Sequence, residues 1–282
     1  MRISGWMVVT GLLLGGAALA DAEASDVRLI PGVPVEFNVS GVPSSMAQQL
    51  RRNTEPLRMS IKLPKDYDAS RAYPVLVFLS GGDGGMGGEM HLADPFLGDH
   101  GYIVCNMPLF KRVVDSDPDE KKWSITPLDG PYALPALRML LDELRRHVPK
   151  IDESRSVLAG FSNGAATAAL ILWAGDEDLI GRFGSFLLIE GGFWLGSDRD
   201  AESGAQFARS SFAGLAGKRV LVAYGEQATP ADRVPWIRAA RQTVAALQQA
   251  GIAVTEHVMP GIGHDFPADE MANVRRWLLA PP

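Results

Sequence analysis

Two kinds of hydrophobic run alternate along the chain. Residues 33–39 and 57–64 place apolar and polar side chains in turn, as in Leu57-Arg58-Met59-Ser60-Ile61-Lys62-Leu63-Pro64. A period of two predicts strands with one face on a core, the pattern of an antiparallel sheet edge. Tyr73-Pro74-Val75-Leu76-Val77-Phe78-Leu79 is apolar throughout and runs into Ser80-Gly81-Gly82. A continuous run of that length fits a strand covered on both faces. Further strands are predicted at 102–105, 156–159, 186–189, 219–224 and 252–259. Between them, apolar residues at helical spacing predict helices over 134–148, 165–173, 234–250 and 268–279. The alternation implies an α/β class: a doubly wound, mostly parallel sheet with antiparallel strands at its N-terminal edge. Ligands of such sheets bind beyond the carboxyl ends of the strands.

The first twenty residues follow neither pattern. Arg2 precedes an apolar run from Trp6 to Ala18, and Ala18-Leu19-Ala20 sets small residues before Asp21. That succession reads as a secretory signal peptide over residues 1–20. The run is too short for a spanning helix, which takes about 20 apolar residues. Residues 21–282 are then expected to form a single domain, within the size one core can fill. The expected location is secreted or periplasmic, off the membrane once the leader is cleaved.

A net charge of -6 leaves no basic face to displace counterions from phosphates, which argues against nucleic acid as a partner. It also supplies no polybasic segment for an anionic membrane. Cys105 is the only cysteine, so no internal disulfide is possible. It lies within Tyr102-Ile103-Val104-Cys105-Asn106 and is expected to be a small apolar core residue.

Candidate chemistry clusters where strands end. Gly160-Phe161-Ser162-Asn163-Gly164 follows the strand run Val157-Leu158-Ala159 and precedes the small-residue run Ala165-Ala166-Thr167-Ala168-Ala169. In that strand–turn–helix setting the glycines make a tight turn that exposes the Ser162 hydroxyl as a nucleophile. A serine hydroxyl needs a base. His264 is well placed, in Pro260-Gly261-Ile262-Gly263-His264-Asp265 between the last strand and the last helix. The group that orients the imidazole is less plain. An acid commonly stands three residues after Gly225, where this chain has Ala228. Asp232, followed by Val234-Pro235, ranks first, then Glu226, then Glu190 at the end of the preceding strand. The oxyanion donors are expected to be the backbone amides of Asn163 and of Gly82. The glycine-rich loop around Gly82 lacks a Gly-Lys-Ser/Thr ending and no clear helix pattern follows it, so it is not a phosphate cradle.

The order Ser162, acid, His264 on alternating strands and helices resembles the α/β-hydrolase superfamily. Leu79-Ser80-Gly81-Gly82, Gly160-Phe161-Ser162-Asn163-Gly164-Ala165 and Gly263-His264 look like the secreted esterase group. That group includes feruloyl and acetyl xylan esterases and polyhydroxybutyrate depolymerases. The resemblance covers roughly residues 57–280 and implies ester hydrolysis through an acyl-serine, with no metal and no organic cofactor. Two positions depart from the pattern: Ser80 stands where many relatives have His, and Ala228 where the acid is usual. The implied substrate is a small-molecule or polysaccharide-linked ester. Selectivity is expected from residues 110–131, including Trp123, with Phe193 and Trp194 as an aromatic wall. A small serine peptidase and a binding protein that kept the fold without catalysis are the alternative readings.

Overall fold

Strand β3 (Val75–Leu79) shows how the continuous apolar runs are used. The computed structural model describes residues 27–41, 43, 57–82, 88–110, 125, 129–193, 212–227 and 236–280. Val75, Val77 and Leu79 face one core, while Leu76 and Phe78 face a second on the other side of the sheet. The same alternation recurs in β4 (Ile103–Met107), β5 (Val157–Phe161), β6 (Ser185–Ile189) and β7 (Arg219–Gly225). These strands lie under helices on both faces, so no position can be polar without a partner.

One face is covered by α2 (Gly130–His147), α3 (Asn163–Ala174) and α5 (Trp236–Gln249), and the other by α1 (Met90–Leu97) and α6 (Ala268–Leu279). A short α4 (Glu177–Gly181) is capped by the Asp176 carboxylate, which accepts from the Leu179 amide at 3.2 Å. Strands β1 (Pro34–Asn38), β2 (Arg58–Lys62) and β8 (Val254–Met259) complete an eight-stranded sheet in the order β1-β2-β4-β3-β5-β6-β7-β8. The pairs β1–β2 and β2–β4 are antiparallel and every other pair is parallel. The expected doubly wound sheet with an antiparallel N-terminal edge is therefore present. No helix among the described residues is long and apolar enough to cross a membrane. The expected leader at 1–20 lies outside the described residues.

Cys105 is fully buried on β4, and burial pushes its thiol above the ordinary range, so it packs as an apolar residue. Two helices differ from expectation. Helix α1 does follow the glycine-rich loop, although Pro95 interrupts its pattern. Its Met90, Ala93, Phe96 and Leu97 recur at helical spacing and are buried, and that burial outweighs the hydrogen bond lost at the proline. Helix α2 starts at Gly130 rather than 134 because Pro131 falls in the first turn, where a missing amide hydrogen costs nothing.

The chain reverses its winding direction at β3, with β4 paired on one side and β5 on the other. The carboxyl ends of β3 and β5 therefore flank a crevice. Leu79 pairs with Gly160, which brings the Gly81-Gly82 loop beside the turn that carries Ser162.

Candidate active site

The turn from β5 into α3 is forced by contact. A side chain at Gly160 would sit 2.2 Å from the Gly164 carbonyl carbon, and one at Gly164 would sit 1.9 Å from the Leu79 carbonyl oxygen. Only glycine fits either position. Between them Ser162 adopts φ 56° and ψ -116°, a conformation that costs a non-glycine residue about 1–3 kcal/mol. Its amide donates to the Ile189 carbonyl at 2.9 Å and its carbonyl accepts from Ala166 at 3.0 Å, so the backbone is pinned on both sides. Asn163 supplies the first amide of α3, where the helix dipole favours negative charge.

His264 reaches this turn from the loop after β8. Its Nε2 lies 3.0 Å from Ser162 Oγ, within reach for proton transfer. Its Nδ1 faces Glu190 Oε2 at 3.4 Å. Glu190 is 1% exposed and sits at the end of β6 with φ 53°. Its other oxygen accepts from the Gly225 amide, and its own amide donates to Ala223 at 2.8 Å. The carboxylate is thus held by the neighbouring strand and aimed at the imidazole. Two of the three non-glycine residues with positive φ among the described residues, Ser162 and Glu190, are in this constellation.

The three candidate acids fall in different places. Asp232, ranked first, lies outside the described residues. Glu226 is exposed at the end of β7, and the acid that meets His264 is Glu190, ranked third. The reason is reach: β6 ends beside β7, with Ile189 opposite Ala223, so a longer side chain one residue past β6 spans to the histidine loop.

Two aromatic rings that the sequence reading did not single out hold His264. Trp236, the first residue of α5, stacks on it at 5.1 Å between ring centres and 13° between planes. Phe161 lies at 5.2 Å and 34°. The expected aromatic wall is not formed by Phe193, which is 2% exposed and stacks on Trp173 at 5.2 Å inside the core. Trp123 and Trp194 lie outside the described residues. Gly82 stands at φ 63° with open space where a side chain would be, and its carbonyl accepts from the Asn163 side chain. Behind it the buried Ser80 hydroxyl accepts from Asn106 Nδ2 at 3.1 Å. Asn106 also donates to the Phe78 carbonyl at 3.3 Å and accepts from the Glu89 amide at 3.1 Å. Ser80 therefore ties the start of the Gly81-Gly82 loop to β4.

A nucleophile, a base within hydrogen-bond reach and a buried carboxylate behind the base can together carry out nucleophilic acyl transfer. With the strand order and the strand–turn–helix at Ser162, they define the α/β-hydrolase fold, and the chain has that fold. Among solved structures it is similar to Porphyromonas gingivalis dipeptidyl peptidase 4, at 17% identity and a TM-score of 0.58, over 89% of this chain and 35% of that one. A thermostable esterase from Pseudomonas putida gives 16% identity and 0.57 over 89% of this chain and 82% of the esterase. A carboxylesterase from Lactobacillus plantarum gives 16% and 0.53 over 83% and 85% respectively. The chain thus spans about a third of the peptidase. No protein-family model matches the sequence, and no curated protein sequence matches it.

Proposed function

We propose that this chain is an exported serine esterase that hydrolyses carboxylic esters through an acyl-enzyme on Ser162. The observation that carries the reading is the 3.0 Å contact between His264 Nε2 and Ser162 Oγ at a strained, fully constrained turn. His264 takes the Ser162 proton as Oγ bonds to the ester carbonyl carbon, and the carbonyl electron pair moves onto oxygen. The Asn163 and Gly82 amides donate to that oxyanion. Its collapse breaks the bond to the alcohol, which leaves with the proton from His264. Water then attacks the acyl-serine with His264 again as base, releasing the acid and restoring Ser162. Glu190, in place of Asp232, holds the Nδ1–H tautomer of His264 and stabilises the imidazolium. Its 3.4 Å separation is long for a charge-assisted bond, as is common for catalytic hydrogen bonds before substrate binds.

Esters are favoured over peptides because two esterase neighbours are covered over four-fifths of their length. The deciding experiment incubates purified protein with p-nitrophenyl acetate, a peptide p-nitroanilide and a fluorophosphonate probe, alongside Ser162→Ala. Ester turnover and labelling should both occur, and both should fall by about 10⁴-fold or more in the variant. Folded wild type that neither turns over ester nor labels refutes the reading, and faster cleavage of the anilide makes the chain a peptidase. Export is checked by sequencing the N-terminus of protein recovered outside the cytoplasm. It should begin near Asp21, and finding the protein only in the cytoplasm, with Met1 intact, overturns it.

A further inference from the structure

A nucleophile turn places few demands on the side chain after its serine, because that residue needs only to start a helix and present its backbone amide. Asn163 nevertheless has a side chain engaged at both ends and is 3% exposed. Its Nδ2 donates to the Gly82 carbonyl, and its Oδ1 accepts from the Ile125 amide at 3.1 Å. The Gly82 carbonyl only accepts and the Ile125 amide only donates, so the orientation of the Asn163 amide is fixed by its partners. Three stretches far apart in sequence meet on one side chain: the loop after β3, residue 125 within the segment read as selective, and the first turn of α3. Ile125 is buried in the core, so its end of the clasp is anchored. Gly82 has open space beside it and gains its tether from Asn163.

We propose that the Asn163 side chain is a positioning residue that clasps Gly82 and Ile125 onto the nucleophile turn, setting the oxyanion donors relative to Ser162. It deepens the esterase reading and rests on it. Aspartate, serine or alanine at 163 would keep the backbone amide that faces the oxyanion, so side-chain variants isolate the clasp. Aspartate still accepts from Ile125 but has no donor for Gly82, and alanine removes both arms.

The test compares Asn163→Asp and Asn163→Ala with wild type, by p-nitrophenyl acetate kinetics and by amide hydrogen exchange. A displaced oxyanion donor should lower kcat by about 100-fold with KM within about threefold. Exchange over Ser80, Gly81 and Gly82 should speed up in both variants, while the Ile125 amide should speed up only in Asn163→Ala. Should Asn163→Ala not fold, the near-isosteric Asn163→Asp carries the test. A folded variant whose kcat stays within about threefold of wild type, or whose loop exchange is unchanged, overturns the clasp. If wild type itself has no esterase activity, the functional reading fails, and the exchange comparison alone still decides the clasp.

Discussion

The two halves of the candidate relay are built on opposite principles. Ser162 is specified by its immediate neighbours: a strand run, two glycines that admit no side chain, and a helix of small residues, all within a few positions. Glu190 and His264 are 74 positions apart and meet only because β6, β7 and β8 lie side by side. The candidate nucleophile is local and strained, whereas the candidate base and acid are assembled by topology. A local device tolerates almost no substitution. A topological one can be satisfied from more than one strand end.

The sharpest break in this contrast is Glu190→Gln. It removes the carboxylate while preserving shape and should lower kcat for p-nitrophenyl acetate by about 10⁴-fold. Glu226→Gln and Asp232→Asn should stay within about threefold, and a large loss in either would return the acid to the β7 loop. Gly164→Ala attacks the local side. A methyl cannot share space with the Leu79 carbonyl, so the loss of stability in urea unfolding should exceed about 3 kcal/mol. Ser162→Gly tests the strain itself. Glycine accepts φ 56° without penalty, so the inactive variant should be about 1 kcal/mol more stable than wild type, read from the same unfolding curves.

The smallest effect belongs to the assembled side. His257 on β8 bonds Glu270 of α6 at 2.6 Å, bracketing the loop that delivers His264. That hydrogen bond, with a second from Asn273, holds the Glu270 carboxyl below its ordinary value of 4.5. The unfolded chain therefore takes up this proton at higher pH than the folded one. The pair's contribution is complete above pH 4.5 and is lost as pH falls through the depressed folded value. Thermal melts of Glu270→Gln should show a deficit at neutral pH that closes in acid. A deficit independent of pH would mean the pair does not contribute by charge.

The same contrast explains what could be read from the sequence. The buried strands were legible because residues such as Val75 to Leu79 are apolar on both faces, and Ser162 because its constraints are contiguous. His264 was legible because glycines surround it at a strand end. Glu190 ranks third in the sequence because its approach to His264 depends on which strand lies next to which, a distance in space that spacing along the chain does not carry. One local signal did exist: a carboxylate at a strand end followed directly by Gly191-Gly192. Trp236 and the side-chain role of Asn163 had none, since each acts across elements remote in sequence. Helix α1 was hidden by Pro95, whose cost is met by burial that composition alone does not display.

The pairing of Ile189 with Ala223 has an evolutionary reading. Adjacent strand ends offer two posts from which one carboxylate can serve the same histidine. A sequence carrying acids at both posts would stay active after losing either, so an ancestor of that kind could drift from one arrangement to the other without an inactive intermediate. Restoring an acid to the loop after β7, as Ala228→Asp in a Glu190→Gln background, asks whether that passage is open to this chain.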